Sequence, residues 1–233
     1  VDLNYFKAAR KEFSISEWID LLIRSMEYNP DAFESVSQKL MFLSRILIFL
    51  EPRLNMIELA PKGTGKSYVF GNLSKYGWMI SGGKVTRAKL FYDMTKKSMG
   101  AITLYDFVTM DEIQTITFSD SAEIQAALKS YLEFGNTTVA NVKLVSQAGL
   151  IIMGNISLTK DKKPIRLKYF SELPETFKES ALLDRFHGFI EGWKLPRISE
   201  DLKINGWTLN VEYFSEIMHE LRGKPIYSAI VND

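Results

Sequence analysis

Cysteine is absent from the 233 residues. That excludes disulfides and every thiolate metal site, and it fits a cytoplasmic protein. Histidine is scarce: His187 and His219 are the only two, too few for a histidine-rich metal centre. Net charge is missing as well. Lys and Arg number 29 against 28 Asp and Glu, so no global basicity advertises a nucleic-acid partner, although local patches stay open. No run is long and apolar enough to span a bilayer. The most apolar stretch, 40–50, is interrupted by Ser44 and Arg45. No signal peptide stands at the start. The chain opens on Val1 rather than methionine, which points to a piece of a longer protein. What is present is a hydrophobic fraction of 46% with 12% aromatics, enough for one medium domain with a small appendage.

One stretch organises the rest. Asn55 to Ala60 is largely apolar, Pro61-Lys62-Gly63-Thr64-Gly65 is a loop with two glycines, and Lys66-Ser67 opens a helical pattern. Strand, Gly-rich loop and helix in that order make a phosphate-binding loop. Backbone N–H groups must converge on phosphate oxygens, so bulky side chains are excluded. The helix start adds unpaired N–H groups and the positive end of a dipole. Lys66 is expected at the β/γ-phosphates of ATP and the Ser67 hydroxyl on Mg²⁺. The pattern G-x-x-x-x-G-K-[ST] asks for glycine at position 60, where this chain has Ala60, a residue that tolerates positive φ poorly. The bland alternative is a Gly-rich turn before a surface lysine; the flanking strand and helix argue against it.

Along the chain, Ser14 and Glu17 form a capping box for a helix over 15–28. A second helix is expected over 31–50, stopped by Pro52. This N-terminal helical segment, 1–52, reads as structural, with no chemistry of its own. The core, 53–197, alternates strands and helices. Strands are expected at 55–60, 76–80, 101–104, 107–110, 150–153 and 188–193. Helices are expected at 66–74, 84–98 and 120–134, and two short extended pieces surround Asn141. Such alternation gives an α/β fold with a parallel sheet flanked by helices. Ligands then bind at the carboxyl ends of the strands, where the phosphate loop, Asp111-Glu112 and Asn155 all fall. The remainder, 198–233, carries one amphipathic helix over 210–222 and reads as a partial helical lid.

Phe107 to Glu112 fits the second ATPase signature. Asp111 would position Mg²⁺, and Glu112 would polarise the attacking water. Asn155 would point at the same water from a neighbouring strand end, or simply end its strand in a Gly154-Asn155 turn. Arg185 would stabilise γ-phosphate charge on a neighbouring subunit, or pair with Asp184. Arg222 would be a lid residue reaching phosphate, or the charged end of a surface helix.

This ordered set resembles an AAA+ ATPase, with a P-loop core and a helical lid. The segments Phe13–Asp20, Ile57–Tyr68, Ile80–Lys84 and Leu183–His187 look like the Lon-related protein family of BREX phage-defence systems (BrxL type). The family's loop has glycine where this chain has Ala60. The resemblance implies nucleotide contacts by Pro61, Lys62, Gly63, Thr64, Gly65, Lys66, Ser67 and Tyr68. It also implies an ATP-driven ring, hexameric, that acts on double-stranded DNA, with other BREX components as possible partners. Family members also carry a Lon-protease-like domain, but no Ser/Lys dyad can be assigned here. Tyr131 to Lys143 is similar to the helix-then-hairpin segment of the MCM helicases, whose hairpins line a ring's pore. Lys143 would touch DNA phosphate there, or lie on a plain surface hairpin. Lys160, Lys162, Lys163, Arg166 and Lys168 form a basic run that faces either DNA or solvent.

Three functions compete: a DNA-acting ATPase ring, a Lon-like protein-remodelling subunit, and a nucleotide-dependent assembly switch. Remodelling pores present an aromatic-hydrophobic pair after the second strand. The corresponding Ser81-Gly82-Gly83-Lys84-Val85 has no aromatic, which favours DNA.

Overall fold

The computed structural model describes residues 1–139, 141–166 and 168–224. Four helices come first: α1 (Leu3–Lys11), α2 (Ile15–Ser25), α3 (Val36–Leu43) and α4 (Leu47–Leu50). The Ser14–Glu17 capping box is formed in full at the start of α2. The expected single helix over 31–50 is broken. Pro30 opens a 3₁₀ turn, Phe33 is extended, and Ser35 caps α3 through the N–H of Gln38.

The sheet is built from β1 (Asn55–Ala60), β2 (Gly77–Val85), β5 (Phe107–Phe118), β8 (Gly149–Asn155) and β9 (Gly188–Glu191). Its spatial order is β2-β5-β8-β1-β9, and every pairing is parallel. Side chains alternate between two cores. Ile57, Leu59, Val108, Met110, Leu150 and Ile152 face one, with α8 (Ser121–Phe134). Met56, Phe107, Ile151 and Met153 face the other, with α2 to α4, α5 (Lys66–Asn72) and α10 (Val211–Leu221). Helices therefore cover both faces, the arrangement a parallel sheet requires. This is the α/β P-loop AAA+ core.

Four expectations between 80 and 118 are corrected. β2 does not turn into a helix at Ser81 but runs on to Val85. The expected helix over 84–98 is one short turn, α6 (Arg87–Leu90), followed by a hairpin of β3 (Tyr92–Asp93) and β4 (Ser98–Met99). Asp93 makes that hairpin by accepting the N–H groups of Thr95 and Lys96. The piece at 101–104 is a helical turn, α7 (Ala101–Leu104). Short apolar runs of this kind fit either state by periodicity. β5 does not stop at Glu112. It bulges and continues to Phe118: Ser81 pairs with Asp111, and the next pair is Gly83 with Ile116.

The remaining elements are β6 (Asn136–Val139), β7 (Val142–Val145) and α9 (Ser180–Leu183). The hairpin β6–β7 surrounds Asn141 as expected. Ala140 within it, and 225–233 of the expected lid, lie outside the described residues. Among the described residues no helix is long and apolar enough to cross a membrane.

Candidate active site

The phosphate loop leaves β1 at Ala60 and enters α5 at Lys66. Its two glycines adopt the left-handed conformations the turn needs, with φ of 80° at Gly63 and 71° at Gly65. A Cβ on Gly63 would meet nothing within 4 Å, so the cradle is open there. Ala60 has no such strain. It is a strand residue paired with Asn155, and a Cβ added to Gly192 would come within 2.4 Å of the Ala60 methyl. The methyl fills core space, so the departure from glycine at position 60 leaves the turn intact.

The strand order places β8 between the loop strand β1 and the acidic strand β5. Asn155 at the end of β8 thus stands between Lys66 and Glu112. The Lys66 ammonium donates to Asn155 Oδ1 at 3.1 Å. Burial pushes that ammonium's pKa down, and the carboxylates of Glu58 and Asp111 push it back up. Asp111 is buried, and one of its oxygens accepts the N–H of Glu112 at 2.8 Å. Glu112 holds φ at 50°, an unusual backbone for a non-glycine residue. Its carboxylate makes no hydrogen bond or ion pair among the described residues. A cavity of about 530 Å³ opens here, lined by Pro61, Lys62, Glu112, Gln114, Asn155 and Arg197.

These residues fit ATP and Mg²⁺. Among the described residues no cluster of three or more His, Cys, Asp or Glu could hold a metal alone. Mg²⁺ bound with a nucleotide needs only one or two protein ligands beside phosphate and water. The Ser67 hydroxyl and the second Asp111 oxygen have no partner within the described chain. Tyr68 is less available: its hydroxyl donates to Glu27, and burial together with that carboxylate pushes its pKa up to about 12.

Two expected residues lie elsewhere. Arg222 is no phosphate ligand in this arrangement. Its guanidinium donates to the carbonyls of Ile48 and Asp106, both at 2.6 Å, and of Gln147 at 2.8 Å. Asp106 and Gln147 precede β5 and β8, so Arg222 sits at the amino ends of the strands. Arg185 precedes β9, which enters the sheet beside Met56, and so lies away from this chain's own loop. Its Nε is 2.9 Å from a Glu133 carboxylate oxygen, close enough to pair in charge although the angle makes no hydrogen bond. The alternative pair with Asp184 is not formed; Glu133 is the carboxylate beside Arg185.

Sequence reasoning missed four residues. Gln114, on the β5 bulge, clasps the Asn155 backbone: its Nε2 donates to Asn155 O at 2.8 Å and its Oε1 accepts Asn155 N–H at 3.2 Å. Arg45 and Glu58 form a fully buried bidentate pair, at 3.0 and 2.5 Å. The third arm of Arg45 donates to the Thr64 carbonyl of the loop at 3.0 Å. Tyr28 packs its hydroxyl where a Cβ on Gly65 would stand, 1.6 Å away. The segment 1–52 therefore touches the loop and is not a passive support. A signal was present: Arg45 and Glu58 are opposite charges, each alone in an apolar run. Beyond β9, the N–H of Ile198 donates to Gly63 O at 2.7 Å, tying the outgoing chain to the same loop.

Comparison with known proteins gives the family. The family described as "Lon-like protease BrxL-like, ATPase domain" matches residues 1–233. The chain is 32% identical over 230 residues to "Lon-like protease BrxL" of Escherichia coli O9:H4 (strain HS), covering 99% of this chain and 33% of that protein. It is 32% identical over 231 residues to the Bacillus cereus (strain H3081.97) protein of the same name, covering 99% of this chain and 34% of that protein. The chain thus spans about a third of the length of these relatives. With the family matched from end to end, and its loop, acidic strand and Asn155 brought to one edge of the sheet, the chain belongs to the BrxL-like ATPase domain family.

Proposed function

We propose that this chain hydrolyses ATP with Mg²⁺, as one subunit of a ring of six that binds or translocates duplex DNA in BREX-type defence, in the cytoplasm. The observation that carries the ATPase reading is the Lys66–Asn155 hydrogen bond beside the unpartnered Glu112. Asn155 and Glu112 line one cavity, and the Lys66 ammonium is held beside it by its bond to Asn155. Lys66 binds the terminal phosphates, Asn155 orients the attacking water, and Glu112 accepts its proton. Mg²⁺ held by Ser67 and Asp111 would neutralise charge on the terminal phosphates. Arg185 is too far from its own loop to serve it, and in the ring it faces the nucleotide of the next copy.

Two lysine-bearing hairpins support DNA as the partner. One is β3–β4 with Lys96 and Lys97 at its tip; the other is β6–β7 with exposed Lys143. Each lies in the connection leading toward the amino end of a sheet strand. Such side chains hold phosphate by charge, without reading base sequence.

Glu112→Gln tests the hydrolysis reading: nucleotide binding stays, and turnover falls about 10²–10⁴-fold, as loss of a general base predicts. Turnover at the parent rate would remove Glu112 from its role. ATPase activity should rise with duplex DNA and not with unfolded protein. The reverse result would reject the DNA reading for protein remodelling.

A further inference from the structure

A phosphate loop turns its N–H groups inward, so its carbonyls point outward and need partners of their own. In this chain one such partner is a buried guanidinium. Arg45 has no exposed surface, nor has Glu58, and each Arg45 nitrogen makes one bond: two to the Glu58 carboxylate, one to the Thr64 carbonyl. Glu58 is on β1, two residues before the loop begins. Arg45 stands on the helical segment that precedes it. Phe42 lies under the guanidinium, 5.0 Å from its ring centre, and Tyr28 packs edge-on against Phe42 at 4.6 Å. Tyr28 in turn closes the space behind Gly65. One continuous buried cluster thus backs the loop at Thr64 and at Gly65.

We propose that Arg45 and Glu58 are positioning residues for the nucleotide: the pair fixes the Thr64 carbonyl outward and so keeps the loop's N–H groups aimed at phosphate. This rests on the loop being the nucleotide site. A generic fold-stabilising ion pair would need no third bond, and a buried charge pair is weak evidence for stability in itself. Thr64 is the point where the effect is felt. It is buried, and its own hydroxyl donates back to Pro61 O at 3.3 Å, so its peptide orientation passes directly to Gly65 and Lys66.

The double variant Arg45→Met/Glu58→Met separates positioning from folding. Replacing both charges with apolar groups of similar volume leaves no unpaired buried charge and only the Thr64 carbonyl short of a donor, so the melting temperature should stay close to the parent's. Affinity of the full chain for a non-hydrolysable ATP analogue should nonetheless fall about tenfold, the worth of one charged hydrogen bond, with KM rising more than kcat falls. A double variant that melts like the parent and binds the analogue equally well overturns the proposal. Arg45→Lys gives a second reading should the double variant fail to fold. Lysine keeps the charge pair but cannot bridge Glu58 and Thr64 together, so a folded protein with weakened binding is expected and parental binding overturns the proposal. Lys66→Met is the control. If it binds the analogue normally, the nucleotide-site reading falls; if it loses the analogue while both Arg45 variants keep it, only the positioning role falls.

Discussion

At the amino ends of the strands, polar side chains are tied to other parts of the chain. Arg222 closes three backbone carbonyls. His219 meets Asp106 at 2.6 Å and stacks on Tyr76 at 3.7 Å. Asn55 caps the start of β8 through the N–H of Leu150, and its own N–H reaches His187. At the carboxyl ends the pattern reverses. The side chains of Glu112, Ser67 and Lys62 make no hydrogen bond within the described chain, and that of Lys66 makes one. The same sheet therefore has a closed end, where hydrogen bonding stabilises the fold, and an open end, where it is left for a ligand. Charge alone does not separate the two; Arg222 and Lys66 are both cations with little exposed surface.

Substitutions at either end test that division, and the largest effect belongs to the open end. Lys66→Met should weaken nucleotide binding and turnover by about 10²-fold or more while the melting temperature holds, because a buried ammonium is removed. Titration calorimetry and a melting curve measure both; an equal loss of stability would break the distinction. Arg222→Met should do the opposite. It leaves three carbonyls short of a donor, costing roughly 2–4 kcal/mol, which lowers the melting temperature by roughly 5–15 °C. Nucleotide affinity should not change, and a selective loss of affinity would restore Arg222 to the site. Gln114→Leu frees the end of β8 and should lower kcat about tenfold, one hydrogen bond's worth of orientation, with KM and melting temperature near the parent's. The smallest effect is expected from Ala60→Gly. It should gain no affinity and lose under about 1 kcal/mol of stability, since position 60 is strand and not turn.

What was legible in the sequence follows the same division. The placement of Lys66, Ser67, Asp111, Glu112 and Asn155 near the carboxyl ends of strands could be read, because a phosphate loop and an acidic strand each ask for a residue type at a fixed place beside a strand. The parallel sheet followed from alternation of apolar runs. The long β5 was not legible, because the bulge puts the polar residues Glu112, Gln114 and Thr115 in the middle of the strand, with only Ile113 between them buried in the core. The hairpin at 92–99 was not legible either, since its turn rests on Asp93 accepting two nearby N–H groups, a local bond with no periodicity. Arg222 was misplaced for a related reason: its partners are backbone carbonyls, which every residue offers. Arg45 and Glu58 show the converse. Each looks like an accident in an apolar run, and only the fold shows that the two meet.

The pair also bears on how the domain could be cut. A chain begun at β1 would keep the loop, both glycines, Lys66 and Ser67. It would also keep Glu58 inside the sheet with its counter-charge gone, a defect that costs about 3–5 kcal/mol. The smallest portable unit that carries this loop begins upstream of Arg45, not at the strand that delivers it.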